Sequence, residues 1–192
     1  MTRSALAAVT LLLSVLTAAC SMLPSFTVHS GPNGLNHFDG QGLSFDYPAE
    51  WAAAHFDVTS SFSNSIVYLS TSPLSDPCDR APNSIQGVRA AAAALAPDGV
   101  LVEWSRNGFP GWTFDPTKGQ RFDVSGRAAT IEDLPAVESC KAIGGERQVV
   151  VMIDDPVADM NWTEVQACLR GPNLADLRAQ VGAMLETIRW QR

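Results

Sequence analysis

Along most of this chain, apolar and polar residues alternate with period two in short runs, and each run stops at a proline, a glycine or a small polar turn. Successive side chains of a strand point to opposite faces, so each run has one face for a core and one for solvent. Leu43, Phe45 and Tyr47 alternate with Ser44 and Asp46 before Pro48. Trp51 to Val58 can return as a second strand across Pro48-Ala49-Glu50, and Ser65 to Thr71 reads as a third, apolar through Ile66-Val67-Tyr68-Leu69. Val100 to Trp104 is a fourth. Arg121 to Val124 and Arg127 to Glu132 flank the tight-turn pair Ser125-Gly126 and read as a hairpin. Gln148 to Ile153 suits a central strand, and Asp154 to Asn161 reads as a solvated hairpin loop. In Trp162 to Leu169, Val165, Ala167 and Leu169 share one face, with Trp162, Glu164, Gln166 and Cys168 on the other.

Two stretches have the helical period instead. Ser84 is a plausible N-cap for a helix in which Ile85, Val88, Ala92 and Leu95 form a stripe, ended by Pro97-Asp98-Gly99. Asn173 is placed to cap a second helix, with Leu174, Leu177, Val181, Met184, Leu185 and Ile188 on one side, ending near Trp190. About seven strands with short connections and two helices predict an α+β fold, an antiparallel sheet of six to seven strands covered by helices.

The amino-terminal stretch specifies location. Arg3 precedes an apolar run from Ala5 to Leu16, and small residues at Thr17, Ala18 and Ala19 lead into Cys20. That is the order of a secretory signal, and the apolar part is too short to span a bilayer permanently. A cysteine directly after the small residues resembles the bacterial lipoprotein box. The resemblance implies cleavage between Ala19 and Cys20 and a thioether from Cys20 to diacylglycerol; the alternative is an ordinary signal peptide cut after Ala19. The predicted organisation is a lipoprotein signal over 1–19, a lipidated cysteine and flexible tether over 20–38, and one α+β domain over 39–192. Ser, Pro, Gly and Asn dominate Ser21 to Phe38, so His29 and His37 read as solvated linker residues. The resulting localisation is the extracytoplasmic face of the cell membrane or the cell surface, held by acyl chains.

The chain carries 13 basic and 20 acidic residues, a formal net charge of −7, and removal of the leader with Arg3 makes it one unit more negative. Such a balance argues against nucleic acid, whose binding rests on neutralised phosphates, and against electrostatic attachment to anionic lipid. No nucleophile elbow, zinc-protease helix, paired-cysteine redox motif, phosphate loop or dinucleotide fingerprint occurs. Three histidines, of which His55 reads as a packed or surface-edge residue, leave little material for general-base work near neutral pH. Asp154, Asp155 and Asp159 do not match a calcium loop, being interrupted by Pro156 and Val157, and no metal or cofactor is expected.

One loop has the composition of a contact surface. Around Arg106-Asn107-Gly108-Phe109-Pro110-Gly111-Trp112-Thr113-Phe114, Gly and Pro restrict the backbone while aromatics supply contact area, which makes Trp104, Arg106, Phe109, Trp112 and Phe114 candidate binding residues. The competing reading is that these rings cap one end of the core. Three cysteines remain once Cys20 is lipidated, and an oxidising compartment permits one disulfide among Cys78, Cys140 and Cys168. Cys140 with Cys168 is the favoured pairing, because Cys168 lies on the polar face of its strand, where a loop could cross it, and Cys140 sits in the 135–145 connection that precedes the adjacent strand; a bridge to Cys78, or none, is the alternative.

Leu43-Ser44-Phe45-Asp46-Tyr47-Pro48-Ala49-Glu50-Trp51, Gly126-Arg127-Ala128-Ala129 and the amphipathic terminal helix together resemble PsbP-like α/β sandwich domains. The whole is similar in layout to small actinobacterial lipoproteins that carry such a domain. The resemblance implies a sandwich fold and no active site. The expected function is therefore a lipid-anchored, non-catalytic binding or interaction module for an unidentified envelope or extracellular protein. A carrier of an apolar ligand such as a lipid is the alternative, and an undetected hydrolase a lesser one.

Overall fold

A computed structural model of the chain describes residues 26–31, 34–58, 62–77, 91–157 and 160–191. Its elements in order are β1 (Phe26–Ser30), β2 (Leu35–Gly40), β3 (Leu43–Pro48), β4 (Ala52–Ala54), β5 (Ser63–Ser70), β6 (Val100–Asn107), β7 (Gln120–Val124), β8 (Arg127–Pro135), α1 (Glu138–Ala142), β9 (Arg147–Val157), β10 (Met160–Leu169), α2 (Leu174–Glu186) and β11 (Arg189–Trp190). Strand accounts for 51 % and helix for 14 % of the described residues, which are therefore mostly β. Two antiparallel sheets form, a four-stranded one ordered β1-β2-β3-β11 and a seven-stranded one ordered β4-β5-β6-β10-β9-β8-β7.

This overturns the expected sheet covered by helices. The cover on the inner face of the large sheet is largely a second sheet, two of whose strands come from residues read above as tether. Phe26 and Phe38 explain the error: their rings stack at 5.4 Å, Phe38 stacks on Phe45 at 4.9 Å, and Phe45 stacks on Trp104 at 4.6 Å. A row of four aromatics thus runs from the small sheet into the large one, and burial of rings this size outweighs the linker-like composition around them. Two-residue turns help. Gln41 and Gly42 both have positive φ, 54° and 76°, so β2 returns directly as β3 with Gly40 opposite Leu43.

The predicted hairpin across Pro48-Ala49-Glu50 does not form. β3 and β4 belong to different sheets, so this turn carries the chain from one layer to the other, and only Ala52–Ala54 of the expected second strand is extended into a ladder. Trp51, 1 % exposed, is buried at the crossing. The expected mid-chain helix, beginning at Ser84, falls over 84–90 outside the described residues. Residues 91–95, its predicted last turn, are not helical; Leu74 bridges to Ala92 there, and Ala91, Ala92 and Leu95 are buried.

β7 and β8 pair through a turn at Ser125 and Gly126, both with positive φ, so that Val124 faces Arg127. β9 and β10 run on well into the stretch read as a hairpin loop. α2 packs against β3 and β10 through Leu177, Val181, Met184 and Leu185. Asn173 makes no side-chain cap bond; instead its backbone N–H donates to Asp98 Oδ1 at 3.1 Å. The main core lies between the two sheets and α2. A smaller cluster of Phe56, Tyr68, Ala91, Ala92, Leu95, Leu101 and Ile143 covers part of the opposite face of the large sheet.

Candidate functional site

Alternation along β6 divides the predicted binding residues. The strand continues past Trp104 to Asn107, so Val100, Val102, Trp104 and Arg106 point inward while Glu103, Ser105 and Asn107 point outward. Trp104 is fully buried against Phe45 and is a core residue, not a contact residue. Arg106 is four-fifths buried on the same face, with Nε 3.8 Å from Asp155 Oδ2.

Phe109, Trp112 and Phe114 do stay together, at one end of the large sheet. The Gly108 N–H donates to the Phe62 carbonyl at 2.9 Å and the Phe109 N–H to Asn161 Oδ1 at 2.7 Å, which ties the loop to the residue before β5 and to β10. A turn follows in which the Trp112 N–H donates to the Phe109 carbonyl at 3.0 Å, with Gly111 at φ 78°. Asp115 Oδ1 accepts from the Thr117 N–H and hydroxyl at 2.9 and 2.6 Å, and these bonds hold its carboxyl below its ordinary value. Gly119 closes the loop where a Cβ would come within 2.5 Å of the Ile131 carbonyl oxygen. Two aromatic pairs result: Trp112 stacks on Trp162 at 4.0 Å, and Phe62 lies 5.0 Å from Phe109. Phe62 and Phe109 remain 46 % and 53 % exposed, so this pair presents apolar surface to water. Between the loop and Met152 lies a cleft of about 470 Å³, walled by Trp112, Phe114, Asp115 and Lys118.

From the Trp pair, a polar strip crosses the outer face of the sheet. Trp162 Nε1 donates to Glu164 Oε2 at 3.0 Å, Gln166 Nε2 donates to Glu164 Oε1, and Gln148 Nε2 donates to Gln166 Oε1 at 3.2 Å. Glu103 stands opposite both Tyr68 and Gln166 in the ladders and accepts from the Tyr68 hydroxyl at 3.0 Å. Burial pushes its carboxyl up to about 7; the Tyr68 bond pulls it down, and the nearby Glu164 charge pushes it up. Strip and aromatic end together offer donors, acceptors and ring faces, the vocabulary of recognition.

Cys168 follows Gln166 on this face and meets Cys140 of α1; both are free thiols. Cys168 donates a hydrogen bond to Cys140, which lowers the Cys140 pKa and, with burial, raises that of Cys168. Cys78 lies outside the described residues, as does Cys20.

Sequence reasoning missed a second polar group, on the inner face. Asp155, expected in a solvated turn, is 0 % exposed on β9, in ion-pair contact with Arg127 of β8 and hydrogen-bonded at 2.7 Å by the Thr163 hydroxyl. Arg127 also lies 3.8 Å over the Trp190 ring. Burial lowers the pKa of both Arg106 and Arg127, and each cation is balanced against the same carboxylate. The available signal was the two-residue spacing from Val151 and Ile153 to Asp155. Of the histidines read as linker, His29 is exposed on β1, while His37 Nδ1 lies 2.7 Å from Asp46 Oδ1. His55 is packed, Nδ1 2.8 Å from the Ile66 carbonyl oxygen. Among the described residues no three His, Cys, Asp or Glu side chains gather in a way that could hold a metal ion; Asp159 lies outside them. No protein-family model matches the sequence, and comparison with curated proteins finds no match.

Proposed function

We propose that the protein is a lipid-anchored extracytoplasmic lipoprotein acting as a non-catalytic binding module, whose contact surface is the aromatic end of the seven-stranded sheet. The observation behind this reading is the Phe62–Phe109 pair, about half exposed on both rings yet fixed by backbone hydrogen bonds to either side. Exposed aromatics cost solubility and are retained where they are covered by a partner. A backbone already held in place loses little conformational entropy when the side chains it carries are covered. The acidic chain disfavours nucleic acid and an anionic lipid surface, which supports a protein of the envelope or extracellular space as the partner.

Crosslinking and capture on intact cells, comparing wild type with Phe109→Ala and Trp112→Ala, tests the reading. Phe109→Ala should weaken capture by roughly tenfold, a change of about 1.4 kcal/mol in binding, with the melting temperature nearly unchanged. Trp112→Ala should weaken capture too; a folding loss of about 3 to 5 kcal/mol there would make Trp112 a core residue. Undiminished capture in both variants retires the aromatic end as contact surface.

A groove supports a second reading, the apolar-ligand carrier. It measures about 510 Å³ between the β2–β3 hairpin and α2, with Leu35, Tyr47, Pro48 and Met184 along it. Native mass measurement before and after solvent extraction separates the readings: a released lipid-sized mass favours the carrier.

A further inference from the structure

α1 is a single short turn of helix whose one buried side chain is Cys140. Its sulfur lies 3.5 Å from the Arg147 carbonyl oxygen, over the first pair of the β9–β10 ladder, Arg147 with Leu169. Cys168 is the neighbouring residue on β10, and its outward side chain points to the same place. The chain is shaped to let the sulfurs meet. A Cβ on Gly145 would fall 2.3 Å from Cys140 Sγ and 2.8 Å from the Cys140 carbonyl oxygen, so only glycine fits beneath this turn. The same carbonyl accepts the Gly145 N–H at 2.8 Å, which fixes the turn over the sheet.

We propose that Cys140 and Cys168 form a thiol–disulfide exchange site, a dithiol that an external disulfide converts into an intramolecular disulfide joining α1 to β10. This does not depend on the binding function proposed above. Access sets the order of events against acidity: Cys168 is the more accessible thiol although its pKa is raised, and Cys140 is fully buried. Cys168 loses its proton and its sulfur attacks the external disulfide, forming a mixed disulfide and expelling one thiolate. Cys140 then loses its proton and attacks Cys168 Sγ, forming the internal bond and expelling the second thiolate. The pair gives up two electrons and two protons; the external disulfide takes up both and leaves as two thiols.

The test uses the full chain, incubated with oxidised glutathione alone or with a catalytic amount of a thioredoxin-fold oxidase added, followed by alkylation and non-reducing peptide mapping. A Cys140–Cys168 crosslinked peptide about 2 Da lighter than its two thiol parts is expected, reversed by dithiothreitol. Formation with glutathione alone identifies a small disulfide as a sufficient oxidant, and formation only with the oxidase identifies a protein disulfide; both support the site. The oxidised chain should melt roughly 5 to 10 °C higher, because the bond closes a long loop. Cys168→Ser should remove both the crosslink and the shift. Two alkylatable thiols at 140 and 168 under every condition, a glutathione adduct that never resolves, a crosslink to Cys78 instead, or a melting shift that persists in Cys168→Ser would overturn the proposal.

Discussion

Asp155 and Glu103 are acids on opposite faces of the seven-stranded sheet, and burial acts on them through different partners. Asp155 has Arg127, Arg106 and the Thr163 hydroxyl around it, so its charge is met. Glu103 has a phenol, an amide neighbour and a second carboxyl, so its charge is not. Burial pushes its carboxyl up to about 7 in the fold, above the ordinary value of 4.5. The folded state therefore holds the proton more tightly than the unfolded one. The stability this contributes is complete below about pH 4.5 and is lost as pH rises through 7, a loss of about 3 kcal/mol at most. Glu103→Gln keeps an acceptor for Tyr68 and has no proton to lose. Denaturant unfolding at pH 5 and pH 8 should show wild type losing stability over that interval relative to the variant; parallel pH profiles would mean that Glu103 is well hydrated.

At the scale of elements, β1 and β2 are part of the domain, and a chain beginning at residue 39 tests it. Such a chain lacks Phe26 and Phe38 from the aromatic row and leaves β3 without the partner that pairs it from Leu43 to Pro48. It should fail to fold cooperatively, whereas a chain beginning at residue 26 should unfold in one transition by circular dichroism; equal behaviour of the two would return 26–38 to the status of tether. What was legible here was local. The β7–β8 hairpin is specified by Ser125-Gly126, and the two faces of β10 by strict alternation, because both signals lie within a few residues. β1 and β2 were obscured because Gly, Pro, Asn and Ser around them read as linker, while the reason for their order is contact with Phe45, residues away. The same limit affected the site. Phe109, Trp112 and Phe114 could be picked out by composition, but period two, carried two residues beyond Trp104, would have sent Arg106 inward. Glu103 and Tyr68 became partners only through the β5–β6 register, which no local pattern reports.

For the molecule as a whole, the proposed anchor decides where this surface works. No helix among the described residues is long and apolar enough to cross a membrane, and attachment through Cys20 would need none. Cys20→Ala should move the protein from the membrane fraction into the detergent-free supernatant, and intact mass should show wild type starting at an acylated Cys20; a free Cys20 thiol on wild-type protein that is soluble without detergent would refute the anchor. The four-stranded sheet takes β1, β2 and β3 from one side of the sequence and β11 from the other, and the Asp46 N–H donates to the Thr187 hydroxyl at 2.8 Å across 141 residues. A polypeptide delivered amino-terminal end first therefore waits with one edge of β3 open until residues 187 to 190 have followed. Closure is a late event in time although its loop-entropy cost grows only slowly with the intervening length. Until then the chain remains threadable, and vectorial passage through a narrow pore meets no finished sandwich to unravel.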